Sequence, residues 1–330
     1  MKLDAIAREG HFVDHALPVW LALPPEVRGT FYLLAGRDRP EVPNRRRGQP
    51  PRSNVPTLTA SAGDLVFSRK LGRPTAIMEH GCGQSFGGDP RRGSHSSYAG
   101  GVARDAQLFL HPGPHPAARD RAVHPVARVE IVGCPKLDAL PRKPERDRIS
   151  VVCVSFHWDS RVCLETRSAW REFDDQLALL AVAPGLKVIG HGHPRIIDTL
   201  ARRYAVHGIE TVRTFEEVCR RADVYVNDAS STLFEFAATG RPVVVLNASF
   251  YRRSINHGLR FWEAATVGVQ VTAATERRLT PSLVDAVRRA LADPPAQRAA
   301  RETALDLVYA FRSGGAARAA GVLVDWGGSL

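Results

Sequence analysis

Three polar stretches, each closing an apolar run, carry residue types suited to chemistry on a phosphorylated substrate. The first is Asn227-Asp228-Ala229-Ser230-Ser231, between the strand-like Asp223–Val226 and the helical Thr232–Thr239. A helix start leaves backbone N–H groups without intrahelical partners at the positive end of the dipole. With the small hydroxyls of Ser230 and Ser231 added, the segment is an anion site into which a pyrophosphate fits. Glu235 lies about one turn further on, where a carboxylate can accept from a ribose diol. The ordinary alternative is a capping serine and a surface glutamate.

The second stretch, Glu79-His80-Gly81-Cys82-Gly83-Gln84-Ser85-Phe86-Gly87-Gly88, follows the strand Thr75–Met78. Its glycines let backbone approach a ligand closely. The unperturbed pKa of an imidazole lies near working pH and His80 stands at the strand end, so it is the candidate base for an attacking hydroxyl, with Gly81, Gly83 and Gln84 on the acceptor side. A buried histidine bonded to a carbonyl is the plain alternative. The third, Val188-Ile189-Gly190-His191-Gly192-His193-Pro194-Arg195, is again a strand entering a glycine turn, with Pro194 at the first helical position. His193 and Arg195 there suit a diphosphate leaving group. His191 and His193 also have metal-ligand spacing, but no third ligand accompanies them, and His111 and His115 are separated by prolines. No metal is expected. The absence of any Asp-x-Asp motif weighs against a metal-chelating, single-domain nucleotide-sugar transferase.

The elements that must position these stretches alternate between strand and helix, the pattern of a parallel sheet covered by helices. The strands predicted in the first half are Thr30–Leu34, Leu65–Phe67, Thr75–Met78, Ala106–Leu110 and Arg128–Val132. In the second half they are Ile149–Phe156, Leu186–Gly190, Thr211–Val212, Asp223–Val226 and Pro242–Leu246. Helices are expected over Ser168–Ala183, Pro194–Tyr204, Thr214–Arg221, Ser231–Thr239 and Pro281–Leu291, with one or two closing helices in Ala296–Trp326. Pro141–Arg148 has two prolines and six charges in eight residues, so it reads as a linker. It divides the chain into a Rossmann-like acceptor-binding domain (1–143) and a Rossmann-like nucleotide-donor domain (144–330). Ligands of open parallel sheets bind beyond the carboxyl ends of the strands, so a cleft between the halves is the expected place for chemistry.

Length agrees: 330 residues exceed what one core usually serves. With 44% apolar and 24% charged residues, wholesale disorder and fibrous repeats are excluded. The apolar runs are strand-sized, far short of the roughly 20 residues a transmembrane span needs. The N-terminus lacks a secretory pattern, so a soluble, cytoplasmic protein is expected. The five cysteines, Cys82, Cys134, Cys153, Cys163 and Cys219, form no C-x-x-C pair and read as reduced, packed thiols. A formal charge of +11 favours a polyanionic acceptor, nucleic acid or a phosphate-rich glycan, or reflects compositional bias. The basic Gly36–Pro51 segment, holding Arg45 and Arg46, is either a solvated loop or, with Arg91, an anion clamp on the acceptor side.

The order of His80-Gly81, Gly133-Cys134-Pro135-Lys136-Leu137-Asp138, Ser155-Phe156-His157-Trp158, His193-Pro194 and Asn227 to Phe236 resembles the CDP-glycerol glycerophosphotransferase family and related GT-B glycosyltransferases, loosely over residues 75–250. The resemblance implies a GT-B α/β fold, two Rossmann-like domains facing each other across a cleft. It implies His80 and His193 as catalytic residues. The donor-binding set is Ser155, His157, His193, Arg195, Asp228, Ser230, Ser231, Thr232 and Glu235. Departures are Ala229 where the family has Tyr, Lys136 where it has Arg, and Gly-Cys-Gly-Gln after His80 in place of a lysine-bearing loop. They bear on the donor more than on the fold. The implied activity is metal-independent transfer of a sugar or alditol phosphate from a UDP- or CDP-linked donor to a hydroxyl, with no cofactor beyond that co-substrate. The alternatives are a DNA-modifying glycosyltransferase, a nucleotide-sugar epimerase and a non-catalytic nucleotide-binding module.

Overall fold

The computed structural model describes residues 1–36, 39–81, 106–141, 149–159, 167–251, 267–273 and 282–330. The described residues form two compact units, one drawn from Met1–Ala139 and Asp306–Leu330, the other from Leu140–Asn256 and Phe261–Leu305. Gly83, Gln84 and Arg91 lie outside the described residues.

In the first unit the elements run β1 (Leu3–Ala7), α1 (Gly10–Ala22), β2 (Arg28–Leu33), β3 (Arg45–Arg47), β4 (Thr57–Thr59), α2 (Ala62–Lys70), β5 (Thr75–Met78), β6 (Leu108–His111), α3 (Pro114–Val123) and β7 (Arg128–Ile131). All strands pair in parallel, in the order β3-β2-β1-β4-β5-β6-β7. Strands β1, β4, β5 and β6 are buried along their whole length, as a sheet covered on both faces requires.

In the second unit follow β8 (Ser150–Phe156), α4 (Trp170–Ala181), β9 (Leu186–Gly192), α5 (Ile197–Val206), β10 (Glu210–Thr211), α6 (Phe215–Arg221), β11 (Val224–Asn227), α7 (Thr232–Ala237), β12 (Val243–Asn247), β13 (Val269–Thr272) and α8 (Leu283–Ala292). The sheet order is β10-β9-β8-β11-β12-β13, all parallel. Each sheet therefore winds outward in both directions from its first strand, and the order reverses between β1 and β4 and between β8 and β11. Those reversals are where open α/β sheets leave a crevice at the strand ends.

Two differences from the sequence expectations have local causes. Leu65–Phe67 is not a strand but lies inside α2. Ser61 accepts from the Asp64 N–H at 3.1 Å, and this cap starts a helix where three apolar residues alone suggest extension. The basic Gly36–Pro51 segment is not loop throughout, because Arg45–Arg47 pair with Phe31–Leu33 as the exposed edge strand β3.

After α9 (Pro295–Val308) the last helix, α10 (Gly315–Gly328), belongs to the first unit. Ala319, Ala320, Leu323 and Trp326 join the core built on β1 and α1. The Gly133–Asp138 motif secures it: the Asp138 carboxylate accepts from the Ala316 N–H at 2.8 Å. A Cβ on Gly315 would stand 3.0 Å from the backbone at Cys134 and Pro135, so glycine allows the helix to seat there.

Candidate functional site

In the second unit Ser155, His191 and Asn227 stand level across the ends of β9, β8 and β11, since Ser155 is in register with both others. The peptides just beyond are braced by one side chain. The buried Asp228 carboxylate accepts from the N–H groups of His157 (2.8 Å), Ala229 (2.7 Å) and Ala169 (2.9 Å). Asp228, expected on the donor, is thus committed to tying β8, its own turn and the approach to α4 together. Asn227 accepts from the Ser230 N–H at 2.9 Å, and the Ser230 hydroxyl accepts from the Thr232 N–H at 3.3 Å. The row of open amides predicted from the sequence is therefore largely closed, because the turn's own side chains satisfy the amides of residues 229, 230 and 232. Ser231 makes no side-chain cap to α7; the hydroxyl that accepts at the start of the helix is that of Ser230.

Tyr225 was not singled out by the sequence, yet it organises this end of the sheet. Its phenol lies 2.9 Å from the Thr232 hydroxyl and accepts from Asn227 Nδ2 at 3.2 Å, and it bonds Ser155. Burial pushes its pKa well up, so it remains a protonated donor. The available signal was the two-residue spacing from Asn227, which puts both side chains on one face of β11. Glu235 is fully buried on the six-residue α7, so the carboxylate expected at a ribose is an interior group.

At the ends of β8 and β9, His157, Trp158, His193 and Arg195 gather. The imidazoles of His157 and His193 are 5.2 Å apart, and the Arg195 guanidinium lies 4.3 Å over the Trp158 ring, a cation–π distance. The His193 N–H supports the turn by donating to Phe156 O at 2.9 Å. His193 Nδ1 accepts from the Arg195 N–H at 3.2 Å, so in the neutral ring the proton is on Nε2. His191, two residues earlier, is buried with Nδ1 on Val212 O at 2.9 Å and serves the sheet. Gly190 and Gly192 serve packing too: a Cβ on the first would lie 2.3 Å from the Tyr204 ring, and on the second 2.3 Å from Leu200.

In the first unit His80 follows β5. Its Nδ1 is 2.8 Å from Ala60 O, and a carbonyl can only accept, so Nδ1 carries the proton and Nε2 the lone pair. The face of α1 walls the ring, with centroids of Phe12, His15 and His11 at 4.8, 5.9 and 6.2 Å. Burial, then the positive charge of Lys136 and the neighbouring imidazoles, holds His15 well below its usual range, so it is neutral. Arg45 and Arg46 are not brought to His80. Four strand spacings separate β3 from β5, about 19 Å at ~4.8 Å each. Among the described residues no group of three or more His, Cys, Asp or Glu is placed to hold a metal ion.

No family model matches the chain, and no curated protein matches its sequence. Solved structures do match in fold. The wall teichoic acid polymerase TagF superposes with a TM-score of 0.66 at 12% identity, over 100% of this chain and 89% of that one. A TagF variant soaked with CDPG gives 0.64 at 12% identity over 100% and 89%. UDP-GlcNAc 2-epimerase from Neisseria meningitidis bound to UDP-GlcNAc gives 0.59 at 12% identity, over 98% and 99%. Among the described residues no helix is long and apolar enough to cross a membrane. Two parallel, helix-covered sheets with Rossmann-like winding, together with these superpositions, make the fold GT-B.

Proposed function

We propose that this chain is a transferase that moves a sugar or alditol phosphate from a UDP- or CDP-linked donor to a hydroxyl, without a metal ion. The observation that carries this is the pair of opposite tautomers: His80 keeps a lone pair on Nε2, and His193 keeps a proton there. The acceptor oxygen attacks the donor's activated carbon or phosphorus, and its proton passes to His80 Nε2. The bond to the nucleotide phosphate breaks, its electron pair leaves with the nucleotide, and His193 Nε2–H with Arg195 meets the charge that develops. Ser230 and Ser231 add hydroxyl donors, while Ser155, Asn227 and Thr232 are held by Tyr225.

The likeness to TagF and to UDP-GlcNAc 2-epimerase supports a nucleotide-linked donor. It leaves two reactions to separate. The test is a thermal-shift screen of CDP- and UDP-linked sugars and alditols, followed by turnover with and without an added hydroxyl acceptor. A ligand that binds only the folded chain raises its melting temperature. The expected result is a shift by one nucleotide conjugate and release of its nucleotide only with acceptor. Conversion of a UDP-sugar without acceptor would make the chain an epimerase; no shift by any conjugate would end the proposal.

A further inference from the structure

Beneath His80 lies a group of buried ionisable side chains that the proposed chemistry does not use. Glu79 follows β5, His111 ends the neighbouring β6, and Asp120 reaches in from α3; none is more than 4% exposed. His111 Nδ1 is 2.9 Å from Glu79 Oε2, and Nε2 is 2.8 Å from Asp120 Oδ2, so one ring bridges two carboxylates. The surrounding charged groups are Glu79 just past β5, Arg119 and Asp120 from α3, and His124 at the C-cap of α3. His124 Nε2 stands 3.8 Å from Asp120 Oδ1, and the Phe109 ring of β6 stacks on both imidazoles. Burial pulls His111 down, but its bonds to Asp120 and Glu79 outweigh it and raise the ring to about 9. Buried ion clusters give little net stability against an apolar replacement, which turns attention to what this one holds in place.

What the cluster holds is next in the chain. The Glu79 N–H donates to Leu110 O at 3.1 Å, so backbone and side chain both fasten Glu79 to β6, one peptide before His80. On the other side His80 is fastened to β4 through Ala60. We infer that His111 is a positioning residue: by bridging Glu79 and Asp120 it fixes the peptide that carries His80 and so the direction of its Nε2. This rests on His80 as the base, but the geometric part is tested without activity.

In protein labelled with 15N-histidine, ring-nitrogen spectra report the tautomer of His80, assigned by its loss in His80→Asn. The wild type is expected to show one fixed Nδ1–H form, with a further inflection near pH 9 as His111 loses its proton. His111→Gln is expected to average the His80 signals between tautomers and to lower kcat about 100-fold, the effect of a small misplacement, with donor KM unchanged. A folded His111→Gln chain with wild-type His80 signals overturns the inference. Should that variant not fold, Glu79→Gln with Asp120→Asn keeps bonding partners for a neutral His111. In that variant too the reading is taken from His80: a single Nδ1–H form while the neutral bridge is kept, with averaging once Glu79→Ala removes it, supports the inference, and a single form in both overturns it. Averaged tautomers with unchanged kcat would leave His111 as the positioning residue and remove His80 as the base.

Discussion

The two sheets share a winding scheme and a topological switch point, and each presents a histidine just past a strand end. They present opposite nitrogens. His80 spends its Nδ1 proton on the Ala60 carbonyl, whereas His193 receives the Arg195 amide at Nδ1. One ring is left able to take a proton, the other able to give one. Strand order does not decide this; the single backbone group that faces Nδ1 does. The surroundings agree with the division. His80 stands against Phe12 and the neutral His15 of α1, while His193 stands beside an arginine over an indole.

The largest effect is expected where this contrast is erased. His80→Asn can still donate to Ala60 O but has no nitrogen to receive a proton. Its kcat should fall by roughly 100- to 10,000-fold with donor binding retained, measured by turnover and calorimetry. A drop under tenfold would remove the difference between the two histidines. His193→Asn still accepts the Arg195 amide but lacks the Nε2 donor, and should lose about 100-fold in kcat. Here the acidic limb of the pH–rate profile should remain, since His80 is untouched. Asp228→Asn places an amide against the Ala169 N–H. It should cost the second unit about 2–3 kcal/mol in urea unfolding and leave the first unit's transition in place. Tyr225→Phe is the mildest, about 1 kcal/mol, with a small weakening of nucleotide binding.

Stability should also separate the units with pH. The folded pKa of His111, about 9, lies above its unfolded value of 6.5, so the folded chain holds the extra proton. The stabilisation is complete below about 6.5 and fades as pH rises through 9, and only the first unit's transition should follow it.

Much of the frame could be read directly from residue order. Thr75–Met78 is a strand with the predicted ends, and β8 to β12 fall within a few residues of expectation, because unbroken apolar runs bounded by turns admit little else; the edge strand β13, with Gln270 and Thr272 among its four residues, was not foreseen. The first elements, β1 and α1, escaped notice: Leu3–Ala7 is short, and Gly10 with Pro18 obscures the helical period. Leu65–Phe67 misled because its cap, Ser61 with Asp64, outweighs three apolar residues. At the site, strand-end histidines and the serine turn stand out by composition. What composition cannot carry is which partner each polar atom has already taken. Asp228 looks like a ligand group until three amides are found on it, and Glu79 looks like loop until His111 is found against it.

The return of α10 to the first unit has a consequence for how the molecule assembles. Its core there joins residues near both ends of the chain, a contact of very long sequence separation, whereas the second unit is drawn from the stretch in between. Contacts of that span are entropically late. During synthesis the second sheet can close while the first still lacks α10. The core of the half bearing His80 is therefore complete only once Trp326 has left the ribosome.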